Sequence, residues 1–334
     1  MKILVTDRHG KGSEHIEIGA AGDGIEVEFF DQPEEVTDAA WASADAIVTY
    51  RGTEGVMNAV NKMQRATIIV RGGVGFDGLD LEVLGQRGIA VSTVPDYGTT
   101  EVADHALSLL LALRRGVTLY DDVMQRAASS EWTYLPNPCI DRLRGRVFGV
   151  VGLGRIGLAA ARRAVGFDMD VAFYDPFLPD GVDLATGFKR VASMQELAEI
   201  ADAVSVHTPL TAASNNIINA DVLGRMKANA VVINTSRGPT VDVDALFTAL
   251  QDNTIAGAGL DVWPVEPPAS DHPLLQAYSA KEPWLAGRFI LSPHAAFYSP
   301  PGLFDLRSKA IATAALRLRT GEARNCQNRM YLTE

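Results

Sequence analysis

The sequence predicts an α/β protein with two doubly wound parallel-sheet domains, on three observations. Its 334 residues suit about two domains. Short runs rich in Val and Ile recur without clean alternation of apolar and polar residues, which is typical of strands buried on both faces of a parallel sheet. Helical segments separate these runs, and strands that alternate with helices favour parallel sheets covered by helices.

Five apolar runs in the first hundred residues predict the strands of the first sheet. These strands are 3–5, 27–30, 47–49, 68–70 and 89–92, with crossover helices over stretches such as 36–42 and 56–63. A long apolar helix is predicted over 99–115. Thr99 or Thr100 suits its first turn, and Arg114 and Arg115 suit the negative end of its dipole.

Six further runs predict the strands of the second sheet. These are 147–151, 170–174, 203–206, 230–234, 256–260 and 289–291. The less regular stretch 119–143 predicts an arm that leads into this sheet, and it is a candidate subunit contact. A final helix is predicted over 300–319.

A glycine-rich turn follows the first strand of the second sheet. Gly152, Gly154 and Gly157 form the pattern G-x-G-x-x-G between a predicted strand and a predicted helix. The first glycine allows a tight turn, the second lets the backbone approach a pyrophosphate, and the third lets helix and strand pack closely. The next strand ends on Asp175, about where a ribose-binding acid is expected. Together these features predict a dinucleotide site.

Asp175 favours NAD over NADP as the dinucleotide. A carboxylate accepts hydrogen bonds from ribose hydroxyls and repels a 2′-phosphate. Residues 176–179, which follow it directly, contain no Arg or Lys to bind such a phosphate.

Polar residues follow the remaining strands, at the edge where open α/β sheets bind ligands. They are His207, Thr208 and Pro209 after the third strand, Thr235, Ser236 and Arg237 after the fourth, Asp261 and Glu266 after the fifth, and Ser292 and His294 after the sixth. An Arg, a Glu and a His therefore fall on the edge where a nicotinamide is expected.

Arg237, Glu266 and His294 have the chemistry for hydride transfer between a nicotinamide and a small 2-keto or 2-hydroxy acid. Reduction of the ketone requires a proton for the developing alkoxide, and His294 is the natural general acid. Glu266, if it is close, favours the protonated imidazole. Arg237 offers a planar fork of donors to a carboxylate. In the reverse direction, neutral His294 takes the hydroxyl proton.

Each of these three residues also has an ordinary structural interpretation. His294 alone is consistent with a satisfied buried polar group, Arg237 with a contact to the pyrophosphate only, and Glu266 with a loop acid. His9, His15 and His272 are expected to be exposed or turn residues without a catalytic role. No His, Cys, Asp or Glu cluster in the sequence has metal-ligand spacing, so no metal is expected.

The composition restricts the partners of the protein. A net charge of −11 argues against nucleic acid or an anionic membrane as the main partner. Two cysteines without a disulfide framework or metal spacing fit a reducing cytoplasm. The start of the sequence resembles a strand rather than a signal peptide, and apolar runs such as 107–113 are too short to span a bilayer.

Several motifs together resemble the D-isomer-specific 2-hydroxyacid dehydrogenase family. They are Gly152–Gly157, Asn234–Gly238, Gly259–Val262 with Glu266, and Ser292–His294. Residues 94–105 and 71–77 look like the branch of this family named after the C-terminal-binding proteins. The resemblance covers nearly the whole chain.

The resemblance implies a role for each matching residue. It makes Arg237, Glu266 and His294 the catalytic triplet, with His294 as proton donor. The NAD site would be lined by His105, Gly152, Gly154, Arg155, Ile156, Gly157, Asp175, His207, Thr208, Pro209, Thr235, Ser236 and Asp261, with Asp261 facing the nicotinamide carboxamide. The substrate carboxylate would bind the backbone at Val74 and Gly75, with Tyr50, Arg51 and Arg71 nearby.

The resemblance also implies the domain organisation. A Rossmann NAD domain, 101–294, would be inserted into a discontinuous, flavodoxin-like substrate domain formed by 1–100 and 295–334. The stretch 270–287 is longer than in many family members, and it is expected to cap the active site or to contact a partner. Family members are commonly homodimers. Two alternatives to the dehydrogenase remain open: an NAD(H)-sensing dimeric protein like the corepressors of that branch, and oxidation of phosphite.

Overall fold

The computed structural model describes residues 1–127, 130 and 132–332. This described chain divides into two units, Met1–Gly98 with Tyr298–Glu334 and Thr99–Phe297. Each unit is built around an all-parallel sheet with helices packed on it, so the predicted fold class is confirmed.

The sheet of the first unit contains, within the described residues, the five strands that the sequence predicts. They are β1 (Lys2–Val5), β2 (Glu26–Phe29), β3 (Ala46–Thr49), β4 (Ile68–Arg71) and β5 (Ala90–Thr93). They lie in the order β2-β1-β3-β4-β5, which is the order of flavodoxin-like folds.

The core of the first unit explains why its strands lack an alternating pattern. Ile3 and Val5 of β1 pack into one apolar cluster with Ile311, whereas Leu4 packs into another with Trp41. Both faces of β1 are therefore covered, and these positions favour apolar residues.

The sheet of the second unit has seven strands among the described residues, one more than the sequence predicts. They are β6 (Val147–Val151), β7 (Asp170–Tyr174), β8 (Lys189–Arg190), β9 (Ala203–Val206), β10 (Val231–Asn234), β11 (Gly257–Leu260) and β12 (Phe289–Leu291). Their order is β12-β11-β10-β9-β6-β7-β8, the Rossmann order extended by one strand. The strand that extends this order is β12, whereas the strand that the sequence does not predict is β8, which has two residues at the sheet edge, too few to show any periodicity.

The helices connect and cover the strands of both units. In chain order the α-helices are α1 (His15–Ala21), α2 (Asp38–Ser43), α3 (Thr53–Asn58), α4 (Leu81–Gln86), α5 (Thr99–Arg115), α6 (Val117–Ala127), α7 (Arg155–Val165), α8 (Val182–Thr186), α9 (Met194–Ile200), α10 (Ala220–Arg225), α11 (Val243–Gln251), α12 (Pro273–Ser279) and α13 (Pro300–Thr320). Short 3-10 helices lie at Pro33–Glu35, Val60–Lys62, Gly238–Thr240, Pro283–Leu285 and Arg329–Tyr331. No described helix is both long and apolar enough to cross a bilayer.

The prediction of an irregular stretch over 119–143 is wrong in its first part, because α6 continues the helical structure to Ala127. Gly116, with φ +64°, ends α5, and α6 starts directly after it. Val123 is the one buried residue of α6, and the other residues of the helix are half-buried or exposed. Residues 128, 129 and 131 of the predicted arm lie outside the described residues.

The stretch 270–287 packs on the second unit itself. Leu274 and Leu275 of α12 and Leu285 are buried in the apolar cluster that also contains Leu246 of α11. Trp284 packs edge-on against Phe247 of α11. The stretch is therefore an integral part of the core on this side of the sheet.

A buried arginine fixes the amino-terminal edge of the second sheet. Arg114, 1% exposed, donates from Nη1 to the carbonyls of Cys139 at 3.1 Å and Asn229 at 2.8 Å, and from Nη2 to the carbonyl of Asp202. Asp202 and Asn229 precede β9 and β10. Burial lowers the pKa of the Arg114 guanidinium from its usual value. Arg114 therefore joins segments that are distant in the sequence, in addition to placing a positive charge at the end of α5.

A second buried ion pair joins the two ends of the first unit. Arg307 of α13 donates from Nε and Nη2 to the two carboxylate oxygens of Glu17 in α1, both at 2.6 Å. Neither side chain is more than 4% exposed. This bidentate geometry is the one in which a buried pair offsets its desolvation best.

Candidate active site

The glycine turn after β6 has the geometry that its sequence predicts. Gly152 has φ +86°, which allows the tight turn. A β-carbon on Gly157 would lie 2.1 Å from the carbonyl oxygen of Gly152, so helix α7 packs against the turn more closely than any other residue permits. Around Gly154, in contrast, a β-carbon would meet nothing within 4 Å. The turn thus leaves open space at the position where a phosphate is expected.

Asp175, directly after β7, is tied to this turn. Its Oδ2 accepts a hydrogen bond from the amide of Leu153 at 3.0 Å, and its Oδ1 accepts one from the amide of Phe177 at 3.0 Å. Each carboxylate oxygen keeps a further lone pair, so both oxygens remain able to accept hydrogen bonds from ribose hydroxyls.

Three polar atoms lie buried and without a partner among the described residues near the ends of β9 and β10. They are Nδ1 of His207, Oγ1 of Thr208 and Oγ1 of Thr235. Thr208 adjoins the glycine turn, since a β-carbon on Gly152 would lie 2.9 Å from its methyl group. Buried polar atoms normally find partners, so these atoms fit a polar ligand such as a dinucleotide.

His207 is held as a neutral ring beside these atoms. Its Nε2 lies 2.8 Å from Oγ of Ser205. Burial lowers the pKa of His207 to about 4, because the charged ring would lose its hydration. Neutral imidazole leaves one ring nitrogen as an acceptor.

Asn234, which begins the motif Asn234–Gly238 but has no predicted role of its own, shapes the turn that carries Ser236 and Arg237. Its amide nitrogen donates to the Arg237 carbonyl at 3.0 Å, and its Oδ1 accepts from Oγ of Ser236 at 2.8 Å. Asn234 is the last residue of a fully buried strand and is 0% exposed. The sequence signal for this role is that a polar residue ends the apolar run of a strand, where a side chain is placed to bind the following turn. Ser236 is therefore bonded within its own turn.

Glu266 closes its own loop and contacts the turn that carries His294. Its Oε1 accepts from the amide of Trp263 at 2.9 Å, and its Oε2 lies 2.6 Å from Nδ1 of His294. Burial raises the pKa of Glu266, but the hydrogen bonds from His294 and Trp263, with the nearby charge of Arg237, outweigh it and leave the pKa below its usual value. Glu266 thus contacts His294 directly, and its charge interacts with that of Arg237.

His294 is presented to solvent rather than to the core. Its side chain is 42% exposed. Its backbone has φ +53°, a conformation that non-glycine residues adopt rarely, and its amide donates to the Asp261 carbonyl at 2.7 Å. Since Nδ1 pairs with Glu266, Nε2 is the nitrogen that remains for proton exchange.

Asp261 fixes the chain on both sides of His294. Its buried carboxylate accepts from the amides of Ala295 and Ala296, each at 2.9 Å, and from Oγ of Ser292 at 2.5 Å. Ser292 donates to Asp261, so its oxygen accepts from Nε2 of His105, 2.9 Å away on α5. The predicted cofactor residues His105 and Asp261 therefore belong to one hydrogen-bonded chain.

The five predicted substrate contacts belong to the first unit, at the carboxyl ends of β3 and β4. Arg51 and Val74 are exposed, Arg71 and Gly75 are half-buried, and Tyr50 is 1% exposed.

Asp7, which has no predicted role, shapes the loop after β3. Its carboxylate accepts from the amides of Tyr50 at 2.8 Å, Arg51, and Gly52 at 2.8 Å. The ring of Tyr50 packs in the apolar core, and His9 contacts it at 4.6 Å between ring centroids. Burial and the charge of Arg51 lower the pKa of His9 to about 4.

Arg71 lies along the glycine-rich loop that follows β4. Its Nη1 donates to the Gly72 carbonyl at 2.8 Å, and a β-carbon on Gly73, where φ is +150°, would collide with the same guanidinium.

No group of His, Cys, Asp and Glu side chains among the described residues has the arrangement of a metal site.

Comparison with known proteins identifies the family. Residues 107–296, more than half of the chain, match the model of the D-isomer-specific 2-hydroxyacid dehydrogenase NAD-binding domain. D-3-phosphoglycerate dehydrogenase of Methanocaldococcus jannaschii is 35% identical over 82% of this chain. Glyoxylate reductase of Korarchaeum cryptofilum is 38% identical over 69% of this chain. The matched regions span 51% and 66% of those two proteins.

A solved structure extends the similarity to the whole chain. The NADPH-dependent glyoxylate/hydroxypyruvate reductase of Sinorhizobium meliloti, in complex with NADP and malonate, is 30% identical, with a TM-score of 0.83 over 100% of this chain and 98% of that one. D-lactate dehydrogenase of Aquifex aeolicus, complexed with NAD and lactic acid, shares the fold at 24% identity and a TM-score of 0.79 over 96% of each chain. The chain therefore belongs to the D-isomer-specific 2-hydroxyacid dehydrogenase family, and its second unit carries the NAD-binding domain of that family.

Proposed function

We propose that the protein is an NAD-dependent oxidoreductase that transfers a hydride between the nicotinamide and a small D-2-hydroxy or 2-keto acid. One observation carries the proposal. Nδ1 of His294 lies 2.6 Å from the Glu266 carboxylate, on an exposed turn beyond the strand ends of the NAD-binding domain. An ordinary buried histidine needs neither the acidic partner nor the left-handed backbone at this position.

The chain's own residues handle the proton and the substrate. His294 delivers a proton from Nε2 to the oxygen of the ketone, while Glu266 stabilises the charge on the ring from the Nδ1 side. Arg237 holds the carboxylate or carbonyl oxygen of the acid. The bound nicotinamide supplies or accepts the hydride. In the oxidation direction, neutral His294 takes the hydroxyl proton.

The proposed cofactor contacts follow from the site. Gly152, Gly154, Arg155, Ile156 and Gly157 would hold the pyrophosphate, and Asp175 the adenosine ribose. The unpartnered atoms of His207, Thr208 and Thr235 would receive hydrogen bonds from the cofactor or donate to it, with Pro209, Ser236, Asp261 and His105 completing the site. Asp175 favours NADH, although the Sinorhizobium meliloti relative is NADPH-dependent.

The first unit is proposed as the substrate domain, formed by 1–100 and 295–334 around the inserted NAD domain. The amides of Val74 and Gly75 would hold the acid, with Arg51 and Arg71 adding positive charge. The buried Tyr50 would contribute to the wall behind them. Phosphoglycerate and glyoxylate are the substrates in the names of two relatives, and a small anionic acid fits these residues.

The proposal includes the assembly and the location of the protein. We expect a homodimer in the cytoplasm, with residues 118–145 contributing to the subunit contact. Two cysteines, one buried and one half-buried, without a disulfide fit a reducing compartment.

The test is turnover of a substrate panel. Purified protein is mixed with NADH and glyoxylate, hydroxypyruvate, pyruvate or phenylpyruvate, and the nicotinamide absorbance is followed. We expect oxidation of NADH by at least one acid. H294A should abolish turnover and leave the Kd of NADH largely unchanged, because the ring contacts the substrate rather than the cofactor phosphates.

The same experiment separates the enzyme from a binding protein of the C-terminal-binding-protein type. Cofactor-dependent dimerisation without turnover of any acid would favour the binding protein. Phosphite with NAD is included in the panel, and NADH formation from phosphite alone would redirect the proposal to that reaction.

A further inference from the structure

Arg190 occupies the edge strand β8, next to the coenzyme-binding acid. Its backbone pairs with Phe173 of β7, two residues before Asp175. From this position its side chain reaches the loop that follows β7, residues 175–181. The side chain is 24% exposed, so it is well shielded for an arginine on an edge strand.

The guanidinium of Arg190 donates hydrogen bonds to three backbone carbonyls of this loop. Nη2 donates to the carbonyl of Asp175 at 3.0 Å and to that of Leu178 at 2.8 Å, and Nη1 donates to that of Pro179 at 3.2 Å. The Asp180 carboxylate lies 3.7 Å from Nη1. A planar fork with several fixed donors suits three carbonyls on one turn, which a lysine ammonium would match less well.

The same loop is fastened at its other side through the Asp175 carboxylate. That carboxylate accepts hydrogen bonds from the amide of Leu153 in the glycine turn and from the amide of Phe177 in the loop. The position of the carboxylate therefore depends on the path of the loop, and the path of the loop depends on the carbonyl contacts of Arg190.

We propose that Arg190 is a positioning residue for coenzyme recognition. By binding the carbonyls of Asp175, Leu178 and Pro179 it holds the Asp175 carboxylate toward the ribose, and it thereby sustains the preference for NADH over NADPH. This inference rests on the proposed ribose-binding role of Asp175.

The sign of the effect distinguishes this role from the usual one. An arginine beside the ribose site generally accommodates a 2′-phosphate and favours NADP. The donors of Arg190 are occupied by carbonyls, so its removal should weaken NADH and spare NADPH. If the guanidinium instead bound the 2′-phosphate, its removal would weaken NADPH.

The experiment measures the Kd of NADH and of NADPH by calorimetry without substrate, and then KM and kcat with both coenzymes. We expect R190Q to raise the Kd and KM of NADH about tenfold, since it loses charge-assisted hydrogen bonds. The kcat at saturating NADH should stay within about twofold, and the selectivity for NADH over NADPH should fall. R190K keeps the charge without the fork, and its NADH affinity should lie between those of R190Q and wild type. R225Q, on the exposed face of α10, is the matched control and should behave as wild type.

Three outcomes would overturn the inference: a selective loss of NADPH affinity in R190Q, unchanged Kd values for both coenzymes, or a fall in kcat and melting temperature with unchanged coenzyme selectivity. Because the Kd values need no substrate, they separate this inference from the proposed function. A wild-type protein that binds NADH selectively but reduces no acid would contradict the proposed function alone. A wild-type protein that reduces an acid without preference for NADH would contradict the inference and the proposed coenzyme preference at Asp175, and would leave the proposed hydride transfer to the acid unaffected.

Discussion

Gly238 lies against the backbone of Trp263 with no room for a side chain between them. A β-carbon on Gly238 would come within 2.0 Å of the carbonyl carbon and oxygen of Trp263 and 2.3 Å of the Pro264 nitrogen. Gly238 follows Arg237, and the Trp263 amide binds Glu266. The loop that carries the guanidinium and the loop that carries the carboxylate therefore meet at a glycine.

Substitution of this glycine should separate the two loops. We expect G238A to lower kcat about 100-fold, because small misplacements at a reacting centre have effects of this size. The Kd of NADH should change less. G224A in α10 is the control, since a β-carbon there meets nothing within 4 Å. A G238A protein with wild-type kcat would contradict the importance of this contact.

Removal of the Glu266 charge should change the pH dependence of reduction. The hydrogen bond with His294 helps to keep the pKa of Glu266 below its usual value, so the residue is a carboxylate near neutrality. A carboxylate stabilises the protonated partner, and the rate of reduction depends on that proton. In E266Q the rate should therefore begin to fall at a lower pH than in wild type. Profiles of kcat/KM for both proteins test this, and coincident profiles would argue against the pair.

The Asp261 carboxylate should be needed for the position of His294. Asn at this position keeps the shape but replaces one accepting oxygen with a donor, which then faces an amide of the following turn. We expect D261N to lower kcat about 100-fold and S292A about tenfold, because the serine supplies one of three donors to Asp261. Rates at saturating NADH measure this. Equal effects in the two variants would speak against a role through the backbone amides.

Arg114 should contribute strongly to the stability of the second unit. R114M removes the donors to three backbone carbonyls, two of which precede sheet strands. We expect the free energy of unfolding to fall by about 3 kcal/mol, measured by urea denaturation. R115M is the neighbouring control, since Arg115 is exposed. A similar loss in both variants would show that the carbonyl contacts are not the cause.

The protein should lose stability on acidification through His207. The pKa of His207 in the folded protein is about 4, below its unfolded value of about 6.5, because burial disfavours the charged ring. Between these values the unfolded chain binds a proton that the folded chain does not, so stability present above pH 6.5 is lost as the pH falls toward 4. H207N should reduce this loss by about 2 kcal/mol, allowing for the part of the ring that water reaches. The exposed His15 supplies the control variant H15N, and a loss unchanged in H207N would refute the assignment.

The sequence predicts those features that depend on neighbouring residues or on parallel topology. The glycine turn and Asp175 are local. Glu266 and His294 follow two strands of one parallel sheet, whose carboxyl ends share an edge, and their contact follows from that arrangement. The strand positions follow from the apolar runs, whereas the arrangement of each sheet was implied by the resemblance to the family.

Other features depend on side chains that meet only after packing. The carboxylates of Asp7 and Asp261 bind backbone amides of loops far away in the sequence, and Arg190 binds a loop that it follows by many residues. Residue type alone does not reveal such partners. The strand β8 has two residues, which is too few for a pattern, and α6 buries one residue, so its helical spacing has little support from an apolar core.

The ion pair between Glu17 and Arg307 has a consequence for biosynthesis. A ribosome releases the strands of the first unit early, but the helix bearing Arg307 emerges only after the whole second unit. Until then the nascent carboxylate of Glu17 has no guanidinium, and the apolar surface that α13 covers stays open to water or to a chaperone. The coenzyme-binding unit can thus fold first, and the amino-terminal unit is completed last.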